Sequence, residues 1–235
     1  MFTYKFLYNL YFKLYILLMQ EIQVSGGFIK LIDKMGSDLT VVNAARVSFN
    51  KRKDSFNDSD EKLINFLAKH NHWTPFSQCQ LQFHVKMPIF VARQHFKSSI
   101  GLTRNEVSRR YVKNEPEFWL PETLRKSTEN VKQGSSLEMV ENNNSLIDEM
   151  KKHHYACNEL YEKLLANNVC AEQARVVLPQ SMMTEFIETG SLSAYARIYG
   201  LRSEKTAQFE IQQYAIGYGE IIEKLFPVSW KALTT

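Results

Sequence analysis

QLQFHVKMPIFVARQHFKSSIGLTRNEVSRRY, residues 80–111, carries the clearest structural pattern of the chain. Its first seven residues alternate between polar and apolar side chains, which predicts a half-buried β-strand. The apolar positions are Leu81, Phe83 and Val85. Pro88 is favoured in the first turn of a helix, so we expect a helix over residues 89–97. The remainder, residues 98–111, is polar and contains a glycine, and it predicts a long ordered loop.

The N-terminal side of this stretch contains one further strand and two helices. They are predicted at residues 28–32, 38–46 and 58–70. Ser37 or Asp38 can cap the first helix, and Asp38 also suits the positive end of the helix dipole. Asp58 and Glu61 have the spacing of a capping box at the start of the second helix.

The C-terminal side is predicted to be mainly helical. A long helix is expected over residues 145–166, where apolar side chains recur at helical spacing. A short helix that carries Arg175 must end before Pro179. Gly200 is expected to end another short helix in the left-handed conformation. The last helix is expected over residues 204–226. Its apolar side chains are expected to be buried, namely Phe209, Ile211, Tyr214, Tyr218, Ile222 and Leu225.

No repeat or linker interrupts this pattern, so the sequence predicts a single α+β domain with a mixed or antiparallel sheet flanked by long helices. We expect this domain to span residues 21–235. Residues 1–20 are aromatic and apolar, but polar residues interrupt them, so no stretch reaches membrane-spanning length. We interpret residues 1–20 as a dispensable apolar extension, and the alternative is an amphipathic segment that lies on a membrane surface.

The composition is that of a soluble globular protein. Of the 235 residues, 44% are hydrophobic and 23% are charged, and the net charge is +4. This mild excess permits anionic ligands without demanding nucleic acid. The three cysteines, Cys79, Cys157 and Cys170, are scattered, which fits a reducing compartment, and we expect a cytoplasmic protein.

Five cations crowd residues 93–110. They are Arg93, Lys97, Arg104, Arg109 and Arg110. Such a cluster is costly unless it is solvated or binds an anion, and arginine suits bidentate recognition of phosphate. A phosphate-binding loop and a solvated basic surface are both open from charge alone.

Two other patterns are less specific. Arg175 is flanked by apolar residues, so it is expected to be embedded and to need either an internal carboxylate or an anionic ligand. The histidines and cysteine that could suggest a metal site lack the spacing of a known zinc site, so no metal is predicted. They are His70, His72, His153, His154 and Cys157.

Six segments in register resemble landmarks of the flavin-dependent thymidylate synthase family. They are MGSDLTVVNAARVSF, HWTPF, QFHVKMPIFVARQ, NEVSRRY, ARVVLP and LRSEKTAQFEIQQYA. The resemblance extends over residues 28–226 and implies the α+β fold of thymidylate synthase-complementing proteins. It also implies that residues 21–235 form the catalytic domain of a methyltransferase that converts dUMP to dTMP. FAD would be the cofactor, with NADPH and methylenetetrahydrofolate as co-substrates.

The resemblance assigns roles to residues that match the family's motifs. Arg202 is the expected catalytic residue, which contacts the uracil ring and favours its electron-rich form. The expected dUMP-binding residues are Gln94, Lys97, Glu106, Ser108, Arg110, Arg175 and Arg202. The expected FAD-binding residues are His72, Thr74, Lys97, Ser98, Ser99, Glu106, Ser191, Ser193 and Arg197.

The family implies a homotetramer whose sites combine segments of several subunits, with neither nucleic acid nor a membrane as a partner. Its signature begins Arg-His-Arg or Lys-His-Gln, whereas this chain has Lys97, Ser98 and Ser99 in a loop that is one residue longer. A flavin- and nucleotide-binding relative that has lost synthase activity is therefore one alternative. A nucleic-acid-binding protein that uses the segment RNEVSRRY on phosphates is another.

Overall fold

The computed structural model describes residues 21–112, 114–127, 136 and 138–235. Within them the chain forms one five-stranded sheet. Its strands are β1 (Glu21–Val24), β2 (Gly27–Met35), β3 (Gln80–Pro88), β4 (Leu102–Glu106) and β5 (Met183–Ser191). Their order across the sheet is β1-β2-β3-β5-β4, and every neighbouring pair is antiparallel. The predicted extension, residues 1–20, lies outside the described residues.

The helices surround this sheet and confirm the predicted α+β class. They are α1 (Asp38–Arg46), α2 (Asp58–Lys69), α3 (Ile89–His95), α4 (Asn143–Ala166), α5 (Ala171–Ala174), α6 (Leu192–Arg202), α7 (Phe209–Leu225) and α8 (Pro227–Thr234). Three short 3-10 turns lie at Val47–Phe49, Phe76–Gln78 and Arg175–Val177. None of the helices in the described part of the chain is long and apolar enough to span a membrane.

β3 alternates as its sequence predicts. Leu81, Phe83 and Val85 are buried, while the side chains between them are only partly covered. The Phe83 ring packs edge-on against Tyr195 of α6 and Tyr218 of α7, with ring centroids 5.2 and 5.1 Å apart. The apolar face of the sheet is therefore covered by α6 and α7, and these two helices position the residues described below.

The start of α2 is displaced by one residue from its predicted cap. Asn57 is the N-cap, and its Oδ1 accepts a hydrogen bond from Ser59 N at 3.1 Å. Asp60 Oδ2 accepts from Asn57 N at 2.9 Å, which completes the reciprocal pair. The capping box predicted for Asp58 and Glu61 is therefore wrong by one position, because Asp60 turns inward and is fully buried.

The predicted loop over residues 98–111 is wrong in its middle, where β4 pairs with β5 at the edge of the sheet. β4 lacks an apolar alternation because its side chains lie at an exposed or half-exposed edge. β5 was also not predicted, since its inward positions include the polar residues Thr184 and Glu188, which are both buried. Buried polar side chains remove the alternation on which strand prediction depends.

The C-terminal helices correct three further predictions. Gly200 has no positive φ and lies inside α6, which continues to Arg202. The last predicted helix begins at Phe209 and not at residue 204. Phe209 itself is 37% exposed because it occupies the first position of α7. The predicted burial is confirmed for Ile211, Tyr214, Tyr218 and Ile222, whereas Leu225 is half-buried.

Candidate active site

Arg202, the predicted catalytic residue, is the last residue of α6 and lies against α3. Its Nη2 donates to the main-chain carbonyl of Gln94 at 3.1 Å. Its Nε is buried and has no hydrogen-bond partner among the described residues. A buried N–H without an acceptor is costly, which makes this nitrogen a candidate donor to a ligand. The structure thus brings together two residues that were predicted to contact the same substrate.

A row of four polar side chains, which we call the amide chain, extends from this contact into α7. It consists of Gln94, Gln208, Glu210 and Arg125. Gln94 Nε2 donates to Gln208 Oε1, and Gln208 Nε2 donates to Glu210 Oε2 at 2.8 Å. Arg125 Nη2 donates to Glu210 Oε1 at 2.8 Å, and its guanidinium stacks on the Phe209 ring at 4.6 Å. Sequence reasoning assigned no role to Gln208, Glu210 or Arg125, although the first two lie in a family landmark.

The turn between α3 and β4 carries Lys97, Ser98 and Ser99, which replace the residues of the family signature. Lys97 and Ser99 are exposed, and Ser98 is half-buried. The carbonyl of Ser98 accepts a hydrogen bond from Arg104 Nη2 at 2.7 Å. The main chain of this turn is therefore held from inside the protein, while two of its side chains face outward.

The same turn is fastened to the start of α6. Arg197 Nη2 donates to the carbonyl of Ile100, and Ser191 N donates to the carbonyl of Gly101 at 3.1 Å. Gly101 has a φ of +77°, and a Cβ at this position would lie 3.1 Å from Ser191 Oγ. A larger residue there would be strained and crowded, so glycine allows this close approach.

Three serine hydroxyls form a row beside the turn. Ser77 Oγ lies 2.6 Å from Ser193 Oγ, which lies 3.1 Å from Ser191 Oγ. Ser191 is buried and caps α6 by accepting from Ala194 N at 3.2 Å. The predicted flavin-side residues Ser191 and Ser193 are thus adjacent. Ser77 was not predicted, and the only signal for it is its position three residues after Thr74.

His72 and Thr74 lie on the exposed segment between α2 and β3. The His72 ring meets the Phe66 ring edge-on, with centroids 6.0 Å apart. The Thr74 carbonyl accepts from Ser77 N at 3.2 Å, which places Thr74 next to the serine row.

Two of the predicted dUMP-binding residues, Ser108 and Arg110, lie where the segment after β4 meets α5. Ser108 Oγ is 3.5 Å from Arg110 Nε, and Arg110 Nη1 is 3.9 Å from Glu172 Oε1. Arg175 follows Glu172 by one helical turn and is exposed. The prediction that Arg175 is embedded is therefore wrong. Its apolar neighbour Val176 is itself 76% exposed, so apolar flanks did not indicate burial here.

Glu106 ends β4, and its Oε1 accepts from Thr184 Oγ1 at 2.6 Å. It also lines a groove of about 490 Å³ on the half-exposed face of the sheet, together with His84, Lys86, Arg109 and Glu185. The predicted site residues therefore occupy three places: the Gln94–Arg202 contact, the turn beside the serine row, and the surface around Arg110. No hydrogen bond or ion pair of the described residues joins one place to another.

Arg104 does not belong to the exposed basic cluster in which the sequence placed it. It lies opposite Glu188 of β5, and its Nε donates to Glu188 Oε2. His95 Nε2 lies 2.9 Å from the same oxygen, and Tyr218 Oη donates to Glu188 Oε1 at 3.4 Å. We call these four residues the Glu188 cluster.

The Glu188 cluster lies in the core, since the side chains of Glu188 and His95 are 0% and 1% exposed. Burial alone raises the pKa of Glu188, but the charges and hydrogen bonds of His95 and Arg104 outweigh it and hold the pKa below its ordinary value. A paired carboxylate is therefore part of the core. Sequence patterns do not reveal such a cluster, because its members come from four different elements.

The three cysteines differ in their surroundings: Cys79 is buried, Cys157 Sγ lies 3.5 Å from His153 Nε2, and Cys170 is exposed. Burial raises the pKa of the Cys79 thiol to about 11, so it is not a thiolate at neutral pH. Among the residues that the structure describes, no group of three or more His, Cys, Asp or Glu side chains could hold a metal ion.

Residues 30–228 match the protein family described as thymidylate synthase complementing protein. The chain is 38% identical over 210 residues to the flavin-dependent thymidylate synthase of Thermosipho africanus, covering 88% of this chain and 90% of that protein. It is 37% identical over 211 residues to the protein of the same name from Thermus thermophilus, covering 88% and 75%.

The fold is similar to that of the UMP/dUMP methylase PolB from Streptomyces cacaoi bound with 5-Br dUMP. The TM-score is 0.81 and the sequence identity is 28%, covering 90% of this chain and 96% of that one. Fold and relatives together define an enzyme of the methyltransferase class. Within that class, the chain belongs to the flavin-dependent thymidylate synthase family.

Proposed function

We propose that this enzyme methylates dUMP to dTMP, with FAD as the hydride carrier and with methylenetetrahydrofolate and NADPH as co-substrates. The observation that carries the proposal is Arg202, which Gln94 holds by its carbonyl while the buried Nε has no partner among the described residues. A guanidinium N–H fixed in this way stabilises negative charge that develops on a uracil oxygen.

The nucleotide's phosphate fits the surface around Arg110. Ser108, Arg110 and Arg175 offer hydroxyl and guanidinium donors, and among the described residues only Glu172 opposes them within ion-pair distance. Arginine binds phosphate through two parallel N–H groups, so the loose 3.9 Å contact with Glu172 is replaceable by a stronger one.

The residues present also fit a flavin dinucleotide. Lys97 and Arg197 are exposed cations on either side of the turn, and the row of Ser77, Ser193 and Ser191 supplies hydroxyls. Cations with neutral donors suit a diphosphate and its sugars. Bound FAD would supply redox chemistry, whereas the chain's own part is to bind, orient and neutralise charge. This division of labour requires no protein thiolate, and burial raises the pKa of the Cys79 thiol to about 11.

We propose that the three places are completed by other subunits in a homotetramer. Several large apolar side chains support contacts between chains, because each is 71% to 76% exposed. They are Val47, Phe49, Ile100, Tyr111 and Val176. Ile100 and Tyr111 belong to the turn and to the phosphate-binding surface, so a subunit contact there would also bring the sites together. We expect the enzyme to act in the cytoplasm.

An absorbance spectrum followed by NADPH oxidation with and without dUMP tests the proposal. We expect a yellow protein whose NADPH oxidation depends on dUMP and which forms dTMP when methylenetetrahydrofolate is added. A colourless protein that cannot be reconstituted with FAD would contradict it. The alternative of a relative that has lost synthase activity predicts bound flavin without dTMP, and predicts that Ser98→His restores turnover.

A further inference from the structure

The amide chain has a direction that follows from the chemistry of the Arg125–Glu210 pair at one end. The guanidinium of Arg125 can only donate hydrogen bonds, and the carboxylate of Glu210 paired with it can only accept them. Gln208 must therefore turn its NH2 group towards Glu210 and its Oε1 towards Gln94. Gln94 must in turn direct its own NH2 group towards Gln208.

The orientation of the Gln94 amide is thus fixed by its partners, without any assumption about which atom of each amide is oxygen. Gln94 Oε1 is left pointing away from the chain, and none of the hydrogen bonds of the described residues uses it. Arg202, which is bonded to the Gln94 carbonyl, has an unpartnered Nε. The pair thus has one unused acceptor, Gln94 Oε1, and one unused donor, Arg202 Nε.

We propose that the amide chain makes Gln94 a specificity-determining residue, which selects a uracil ring over a cytosine ring. Uracil carries a hydrogen on N3 that Gln94 Oε1 can accept, and a neighbouring carbonyl that Arg202 Nε can contact. In the same pose, cytosine places a lone pair on N3 against the Gln94 oxygen. This inference rests on the proposed function, because it assumes that the base of the nucleotide lies at Gln94 and Arg202.

The direction of the amide chain can be reversed by one isosteric change at Glu210. In Glu210→Gln the new amide must keep its oxygen towards Arg125, so its NH2 group faces Gln208. Gln208 then turns its oxygen to residue 210 and its NH2 group to Gln94. Gln94 turns its own oxygen to Gln208 and presents an NH2 group to the ligand. The donor that now faces N3 suits cytosine.

The test compares the dissociation constants of dUMP and dCMP for the FAD-loaded enzyme by isothermal titration calorimetry. The wild type is expected to prefer dUMP by about a hundredfold or more, since a site built for one hydrogen-bond pattern rejects its opposite. In Glu210→Gln this preference is expected to fall by about tenfold or more, with weaker dUMP binding and tighter dCMP binding. Glu220→Gln, which removes the same charge from an exposed position on α7, should retain the wild-type preference.

The outcomes separate this inference from the proposed function. A flavin-loaded wild type that binds neither nucleotide would contradict the proposed function itself. A selective wild type with an unchanged preference in folded Glu210→Gln would overturn the role of the amide chain. Because Glu210 is 4% exposed, Gln208→Met provides a second variant that breaks the amide chain without touching the buried ion pair. Gln94 can then turn either way, so the preference should fall without reversing, and an unchanged preference would again overturn the inference.

Discussion

Two buried carboxylates, Glu188 and Glu210, each face an arginine, yet their surroundings differ in one decisive respect. Glu188 is surrounded by Arg104, His95 and Tyr218, and its contacts end within the core. Glu210 is linked to Gln94 by hydrogen bonds through the single amide of Gln208. The Glu188 cluster is closed around its carboxylate, whereas the amide chain ends on an oxygen to which no described residue donates a hydrogen bond.

This difference distinguishes a buried charge that supports the fold, that of Glu188, from one that orients a binding group, that of Glu210. Within the Glu188 cluster the carboxylate accepts from Arg104, His95 and Tyr218, so the cluster contributes to the stability and the shape of the core, although His95 Nδ1 has no partner among the described residues. Among those residues, the side-chain hydrogen bond that leaves the cluster runs from Arg104 to the Ser98 carbonyl and holds main chain. The amide chain fixes the orientation of the Gln94 amide but leaves its oxygen without a hydrogen bond among the described residues. That oxygen is available to a substrate.

The largest expected effect comes from breaking the closed cluster. Arg104→Met leaves the Glu188 carboxylate buried without its arginine partner, which should lower the free energy of unfolding by about 3–5 kcal/mol. Urea unfolding followed by circular dichroism measures this loss. The double variant Arg104→Met with Glu188→Met should recover most of it, because an apolar pair needs no partner. A double variant as unstable as the single one would contradict the interpretation of Glu188 as a paired charge.

A change where Arg202 meets the amide chain should have the opposite effect. Activity should be lost, whereas the free energy of unfolding should be retained. Arg202→Ala removes the donor with the free Nε, so dTMP formation at saturating dUMP should fall by about a hundredfold to a thousandfold. Its free energy of unfolding and flavin content should stay close to those of the wild type. Leu201→Ala is the control, because Leu201 is an exposed neighbour on the same helix. Turnover like that of the wild type in Arg202→Ala would remove Arg202 from the catalytic role.

Arg110 belongs to neither region and offers an intermediate case. Its side chain is 46% exposed, so its removal should affect ligand binding more than folding. Arg110→Ala should weaken dUMP binding by about 2 kcal/mol through loss of a charge-assisted contact to phosphate. Calorimetry measures the change, and Arg109→Ala, whose guanidinium bonds to the Asn114 carbonyl, should leave the affinity nearly unchanged. Equal losses in the two variants would indicate a general effect of charge and not a phosphate contact at Arg110.

The fold was predictable wherever side chains repeat with a regular period. β3 and α4 were predicted for that reason, since one alternates and the other keeps helical spacing. β5 was not predicted, because Glu188 and Thr184 occupy inward positions where a pattern requires apolar residues. The sequence pattern therefore missed β5, the strand that carries the Glu188 carboxylate, because that polar side chain is buried.

The candidate site was predictable only in its residue types. Gln94 and Arg202 are separated by 108 positions, and no spacing rule connects them. Only the resemblance to a family assigned both to one substrate. The charge cluster at residues 93–110 was treated as one surface, but strand pairing places Arg104 opposite Glu188 and turns it inward. Local charge counts carry no information on which side of a strand a residue occupies.

The smallest expected effect tests whether the Glu188 carboxylate is satisfied by its other partners when Tyr218 no longer donates to it. Tyr218 donates to Glu188 Oε1 at 3.4 Å, whereas His95 contacts the same oxygen at 3.1 Å. Tyr218→Phe should therefore cost only about 0.5 kcal/mol of unfolding free energy, because the carboxylate keeps its other partners. Tyr214→Phe is the matched comparison, since it removes a 2.9 Å hydrogen bond to the Lys86 carbonyl and should cost about 1 kcal/mol. Urea unfolding gives both values, and a loss in Tyr218→Phe that approaches that of Arg104→Met would show that the carboxylate depends on all its contacts. The two regions would then no longer differ in how completely their carboxylates are satisfied. Only the free oxygen of Gln94 would distinguish them.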